Sequence, residues 1–144
     1  MEPAFQLHER LAADTVYVAN WPLCAVLLMN DAQYPWVILV PRRAGLRELH
    51  ELAPADQQQF LRESCHLGAH LLADLGGDKL NVAALGNLVP QLHIHHIVRR
   101  VGDAAWPAPV WGRHPPQAYT PEVLREVVAK VQTMVRSLPG GFEL

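Results

Sequence analysis

Eight histidines in 144 residues is a high count, and three of them, His93, His95 and His96, crowd into Gln91-Leu92-His93-Ile94-His95-His96-Ile97-Val98. A β-branched run of this kind reads as a strand, where successive side chains point to opposite faces. Gln91, His93 and His95 then share one polar, nitrogen-rich face, and Leu92, Ile94 and His96 share the other. An imidazole can act as a nucleophile, and two on one face can also chelate a metal. Chelation would need a further His, Glu or Asp nearby. Glu63, His66 and His70 stand at helical spacing that could also hold a metal, although such a set on one helix is more often a solvated or half-buried face. No metal and no cofactor is therefore expected.

The elements that would position this face follow from pattern. Thr15 to Asn20 and Leu23 to Asn30 are short Val- and Leu-rich segments broken by Trp21-Pro22, which suggests two adjacent antiparallel strands. After a turn through Asp31 to Pro35, Trp36 to Val40 reads as a third, central strand stopped by Pro41-Arg42-Arg43. Pro54 to Leu75 changes to a helical period, with Phe60, Leu61, Cys65, Gly68, Leu71, Leu72 and Leu75 on the inner side and Gly76-Gly77 as the stop. Leu80 to Leu85 and Gln91 to Val98 supply two more strands. The stretch Trp106 to Gly112 is too proline-rich for a regular element. A last helix starts on Thr120 as N-cap with Pro121 behind it, and carries Leu124, Val127, Val128, Val131, Val135 and Leu138 inward. Five strands and two helices without regular βαβ alternation predict an α+β fold with a mostly antiparallel sheet in a single domain, 1–144.

Charge and composition exclude several classes. Twelve basic against fourteen acidic residues, net −2 and without runs, leave no footprint for polymeric nucleic acid. No apolar run approaches the roughly 20 residues that span a bilayer, and Met1-Glu2-Pro3 lacks the basic start of a signal peptide. Cys24 and Cys65 lie far apart in apolar surroundings, as buried free thiols would in a reducing cytoplasm. We therefore expect a soluble, unprocessed, cytoplasmic protein that does not associate with membranes.

The histidine run resembles the signature of the histidine-triad (HIT) family, His-φ-His-φ-His-φ-φ on a strand after Gly-Gln-Ser/Thr-Val. Gly86-Asn87-Leu88-Val89 sets the register, so that Gln91 stands where the family has its first His, His93 at the central one and His95 at the third. Leu28-Met29-Asn30 resembles the family's ribose-binding strand end, and Arg47 to Leu52 the turn before its long helix. The Trp-Pro-x-Pro-Val-Trp-Gly segment at Trp106 to Gly112 is similar to a bacterial branch of the family.

The resemblance implies a nucleotide phosphohydrolase, or a nucleotidyl transferase, that forms a covalent nucleotidyl-histidine on His93. In the family the proton on the nucleophile's other nitrogen is held by the backbone carbonyl of the first triad position, so Gln91 can serve there. His95 would donate to a phosphate oxygen, Asn87 would help position the phosphate, and Asn30, Asn81 and Gln91 complete the expected substrate-binding set. A homodimer is implied as well. Leu88 replaces the hydroxyl residue that usually serves the leaving group, which favours phosphoanhydrides such as dinucleoside polyphosphates over phosphoramidates. Trp36 stands where well-studied branches have another active-site His, and His96 replaces a usual aliphatic residue. Trp106 and Trp111 could line the nucleotide pocket, but the preferred reading is packing, and His8, His50 and His114 read as structural or exposed. The alternative function is a nucleotide-binding module of the same fold without turnover.

Overall fold

A computed structural model describes residues 4–144, so Met1 to Pro3, on which the expectation of an unprocessed start rests, lie outside the described residues. The elements run α1 Glu9–Asp14, β1 Thr15–Asn20, β2 Cys24–Met29, β3 Trp36–Pro41, α2 Pro54–Leu75, β4 Lys79–Ala83, β5 Ile94–Arg99 and α3 Pro121–Arg136. The five strands form one sheet in the order β1-β2-β3-β5-β4, and every pairing is antiparallel. β3 is central, as its uninterrupted apolar run predicts.

Both faces of the sheet are covered, which is why β2 and β3 carry apolar residues at every position rather than alternating. On one face Cys24, Val26, Leu28, Val37, Leu39, Ile94 and Val98 pack beneath α2 and α3. On the other, Ala25, Leu27, Trp36, Ile38, Val40 and Ile97 pack against Leu11 of α1 and against Val89, Ala105 and Val110 from loops. The catalytic candidates lie on this second face.

α3 begins as its sequence dictates, with the Thr120 hydroxyl accepting from the Val123 amide at 3.3 Å and Pro121 in the first turn. α2 ends at Gly76, whose φ of 64° suits a residue without a Cβ. The next residue, Gly77, is required for space: a Cβ there would lie 2.2 Å from Val98 Cγ1.

Four expectations need correction. Helix α1 was not expected: at six residues it shows no period, although Glu-Arg-Leu-Ala-Ala are good helix formers. β5 starts at Ile94 rather than Gln91, because the ladder with β3 ends at Leu39 opposite Ile94 and the Leu92 amide turns instead to the Leu46 carbonyl at 2.9 Å. The inner face of α2 is Phe60, Glu63, Leu67, Gly68 and Leu71, while Leu61 and Cys65 face solvent. The expected positions Phe60, Gly68, Leu71, Leu72 and Leu75 do face the core, whereas Leu61 and Cys65 do not, so only Cys24 is a buried thiol.

Glu63 is the inner position that an apolar pattern cannot reveal. It is fully buried and accepts the amides of Leu23 and Cys24 at 3.0 and 2.9 Å, while Gln59 donates to it at 2.7 Å. The carboxylate therefore ties α2 to the start of β2, a role that hydrogen bonds to a buried charge make possible. His66 is taken up by the Met134 carbonyl and Ser137, and His70 by Asp74. Among the described residues no three His, Cys, Asp or Glu side chains gather as a metal site would require. Among them, too, no helix is long and apolar enough to cross a membrane.

Candidate active site

His93 precedes β5 and His95 lies within it, on the same face, with ring centroids 4.9 Å apart. Both are buried. His93 Nδ1 is 2.7 Å from the Gln91 carbonyl. A carbonyl can only accept, so Nδ1 carries the proton and the neutral ring keeps a bare lone pair on Nε2.

His95 has the opposite tautomer. The Trp36 indole N–H donates to His95 Nδ1 at 3.0 Å, and an indole nitrogen can only donate. Nδ1 is therefore bare, and the neutral ring bears its proton on Nε2. Strand register makes the contact: Ile38 stands opposite His95 and Trp36 opposite Ile97, so Trp36 is the diagonal neighbour of His95 within reach of a large ring. Burial, reinforced by the neighbouring His93 and His96, pushes His95 down to about 3. At neutral pH it is an uncharged hydrogen-bond donor. Trp111 closes over the pair, 5.1 Å from the His95 ring and 5.9 Å from Trp36.

His96 points to the other face and is fully buried. Its Nδ1 lies 3.1 Å from the Ile94 carbonyl, so Nδ1 donates and Nε2 accepts the Ser64 hydroxyl of α2 at 2.7 Å. This ring is a polar rivet between sheet and helix, and burial holds it down to about 4. A consequence is measurable. Unfolded histidines take up protons near 6.5, whereas folded His95 and His96 stay neutral until about 3 and about 4. Below about pH 6.5 the unfolded chain therefore holds more protons, and stability should fall as pH drops, by about 1.4 kcal/mol per pH unit for each ring around pH 5. Urea unfolding at pH 7, 6 and 5 measures this. His96→Asn should remove about half of the slope, and a stability independent of pH over this range would contradict the neutral assignment.

Two cavities meet at this face. One, of about 380 Å³, is lined by His93, His95, Asn87, Leu88, Arg10 and Trp111 among others. The other, of about 440 Å³, is lined by Asn30, Asp31, Tyr34, Trp36 and Trp111. They share Arg10, Asp14, Met29 and Trp111, and each falls within the size range of small-molecule sites. Gly86, at φ 80°, turns the loop that delivers Asn87 and Leu88. Among the described residues no serine, threonine or tyrosine lines the His93 cavity.

The expected site residues thus occupy several places. His93, His95 and Asn87 come together in one cavity. Asn30 lies in the adjoining one, where its Oδ1 accepts the Tyr119 amide at 3.0 Å. Gln91 gives its carbonyl to His93, but its side chain bonds the N-terminal segment: the His8 amide donates to Oε1 at 2.9 Å and Nε2 donates to the Gln6 carbonyl at 2.8 Å. Asn81 shares the sheet face but lines neither cavity, and its Oδ1 accepts from Arg99 at 3.0 Å.

That buried Arg99 pairs with Asp103 at 2.8 Å and lies over the rings of Tyr34 and Trp106. Trp106 packs, as expected, whereas Trp111 lines both cavities. The residues that sequence reasoning missed at the site are Arg10, Asp14 and Tyr34. Nothing in their local pattern distinguishes them from ordinary surface and turn residues.

Comparison with known proteins follows the same outline. A family model described as HIT domain matches residues 10–102. A histidine triad protein of Marinobacter aquaeolei VT8 is 57% identical with a TM-score of 0.92, the match covering 94% of this chain and 99% of that one. A histidine triad protein of Bradyrhizobium japonicum is 44% identical with a TM-score of 0.90, covering 92% and 99%. One from Sinorhizobium meliloti 1021 is 42% identical with a TM-score of 0.87, covering 93% and 97%. No curated protein matches the chain.

Proposed function

The chain belongs to the histidine-triad family, and from that premise we propose that it is a nucleotide phosphohydrolase that cleaves at the α-phosphate through a covalent nucleotidyl-histidine on His93. The observation that carries this reading is the 2.7 Å contact of His93 Nδ1 with the Gln91 carbonyl, which leaves Nε2 bare at the cavity. The Nε2 lone pair forms a bond to the α-phosphorus, and the bond from phosphorus to the leaving oxygen breaks with its electron pair going to that oxygen. The Nδ1 proton stays on the ring, held by the carbonyl. In the second half a water oxygen attacks phosphorus, the N–P pair returns to Nε2, and the water proton is released.

His95 Nε2–H donates to a non-bridging oxygen as charge grows there, and Asn87 offers an amide at the exposed rim. The cavity of Asn30, Trp36 and Trp111 is of the right size and aromatic character for the nucleoside. The homodimer belongs to the same proposal, and the edge strand β4, with Val82 half exposed, is one surface available to it.

The leaving group follows from what the cavity lacks. An amine expelled from phosphorus needs a proton in the transition state, whereas a phosphate leaves as a stable anion. Neutral His95 is a weak acid, and among the described residues none that lines the cavity carries a hydroxyl. The enzyme should therefore cleave a nucleoside phosphoanhydride with a kcat/KM on the order of 10²-fold above that for the matching phosphoramidate. Leu88 is 78% exposed at the rim, so Leu88→Ser should fold normally and raise the phosphoramidate rate severalfold while leaving the anhydride rate nearly unchanged. A wild type that prefers phosphoramidates would show that another group supplies the proton.

A further inference from the structure

Two charged side chains, Arg10 and Asp14, border both cavities and have no part in the scheme above, and of the two only the cation can attract a phosphate. Among the described residues that line either of them, Arg10 is the sole arginine or lysine. His95 is neutral, and Asp14 and Asp31 are the carboxylates of the two walls. A substrate with a phosphate beyond the α-position brings two or more negative charges to this place, and Arg10 is the permanent cation there to meet them. Its one ion pair, Nε to Asp14 at 3.9 Å, joins side chains that are 59% and 55% exposed. Such a pair is worth little and leaves the guanidinium free to turn to a ligand.

Arg10 is on α1, a six-residue helix too short to hold itself in place. Its position depends on what anchors the segment before it. Phe5 and Leu7 pack on the sheet face, and between them and the helix stands a two-point clamp. The Gln91 amide accepts from the His8 amide and donates to the Gln6 carbonyl, at 2.9 and 2.8 Å. His8 in turn caps α1, its Nδ1 accepting the Arg10 amide at 3.0 Å. Gln91 thus orients the nucleophile through its carbonyl and the helix of Arg10 through its side chain. A carboxamide presents its oxygen and its N–H side by side and so meets two nearby backbone groups of one segment, whereas the donor and acceptor of an imidazole point apart.

Resting on the nucleotide-hydrolase reading, we propose that Arg10 recognises the phosphates beyond the α-phosphate, and that the Gln91 side chain is the positioning residue that holds Arg10 at the rim of the His93 cavity. The substrate class that follows is a nucleotide whose α-phosphate is joined to at least one more phosphate. Arg10 is then the residue that favours anionic over neutral leaving groups by attraction, independently of the missing proton donor.

Equilibrium binding to the full chain tests this with two non-hydrolysed probes for each of adenosine and guanosine: the 5′-monophosphate and the α,β-methylene diphosphate. Wild type should bind the diphosphate analogue of the better base about tenfold more tightly than the monophosphate, a contrast that weakens with salt. Arg10→Ala should abolish the contrast while leaving monophosphate affinity within about threefold, and Arg10→Lys should keep part of it. Gln91→Ala retains the carbonyl and should lose most of the contrast with Arg10 still present, an effect that a merely structural residue would not confine to the second phosphate. Gln91→Glu, which can still accept from His8, should lose less. An undiminished contrast in Arg10→Ala overturns the role of Arg10, and a Gln91→Ala protein with the full contrast overturns the clamp. Equal binding of both probes by wild type overturns the proposal but leaves the nucleotide reading standing, and binding of neither overturns both.

Discussion

Replacing His93 by Ala should lower kcat for nucleoside phosphoanhydride hydrolysis by roughly three orders of magnitude or more, since it removes the group that forms the covalent bond. The substitution leaves the Gln91 carbonyl without its 2.7 Å donor, but that carbonyl lies outside the strands on a half-buried residue, where water can replace the ring. The fold should therefore survive, and nucleotide affinity should change far less than kcat. Rapid quench of the wild type with a radiolabelled substrate into alkaline denaturant should trap label on the protein in an acid-labile, base-stable linkage, as a phosphorus–nitrogen bond requires, and His93→Ala should trap none. A His93→Ala enzyme with near-normal kcat would dispose of the mechanism. A wild type that binds nucleotides tightly but turns none over would make the chain a binding module of the same fold.

The second large effect concerns His95. Its Nε2–H is a neutral donor fixed in that tautomer by Trp36, and removal of one such donor to transition-state charge costs on the order of 10² to 10³ in kcat. His95→Ala should show that loss in kcat with KM little altered, because the donor matters most as charge accumulates on the phosphate oxygens. Trp36→Phe keeps the ring but deletes the N–H, so His95 can take its proton on either nitrogen. We expect about a tenfold loss in kcat there, smaller than for His95→Ala. Nitrogen NMR of His95 should report a single tautomer in wild type and a mixture in Trp36→Phe. A loss in His95→Ala that appears only in KM would mean that the ring binds substrate and transition state alike.

Much of this was readable in the residues. The alternation around His93 and His95 placed both rings on one face because strand geometry allows no other arrangement over two residues, even though the ladder itself begins only at Ile94. The two longer helices could be read because Pro54, Gly76 and Pro121 act through their own backbone and Thr120 through its own hydroxyl. The inward turn of Glu63 was missed because a stripe read from apolar residues leaves out a carboxylate, and the face that carries it reads as solvated or half-buried. The carboxylate's burial depends on two amides at Leu23 and Cys24, about forty positions away.

By itself, then, the sequence determined the antiparallel sheet and the extents of the two longer helices, which follow from periodicity and from backbone preferences acting over a few residues, and its resemblance to the histidine-triad signature singled out His93 as the candidate nucleophile. The tertiary structure decided which nitrogen of His95 bears the proton, what occupies the Gln91 side chain, why His96 is buried, and that Arg10 and Trp111 reach the site while Asn81 does not. Each of these depends on a partner brought close by strand register or by packing of a loop, such as Trp36 fifty-nine residues from His95 or His8 eighty-three from Gln91. A side chain's protonation and contacts are set by the donors and acceptors around it in space, and a local pattern contains no record of them.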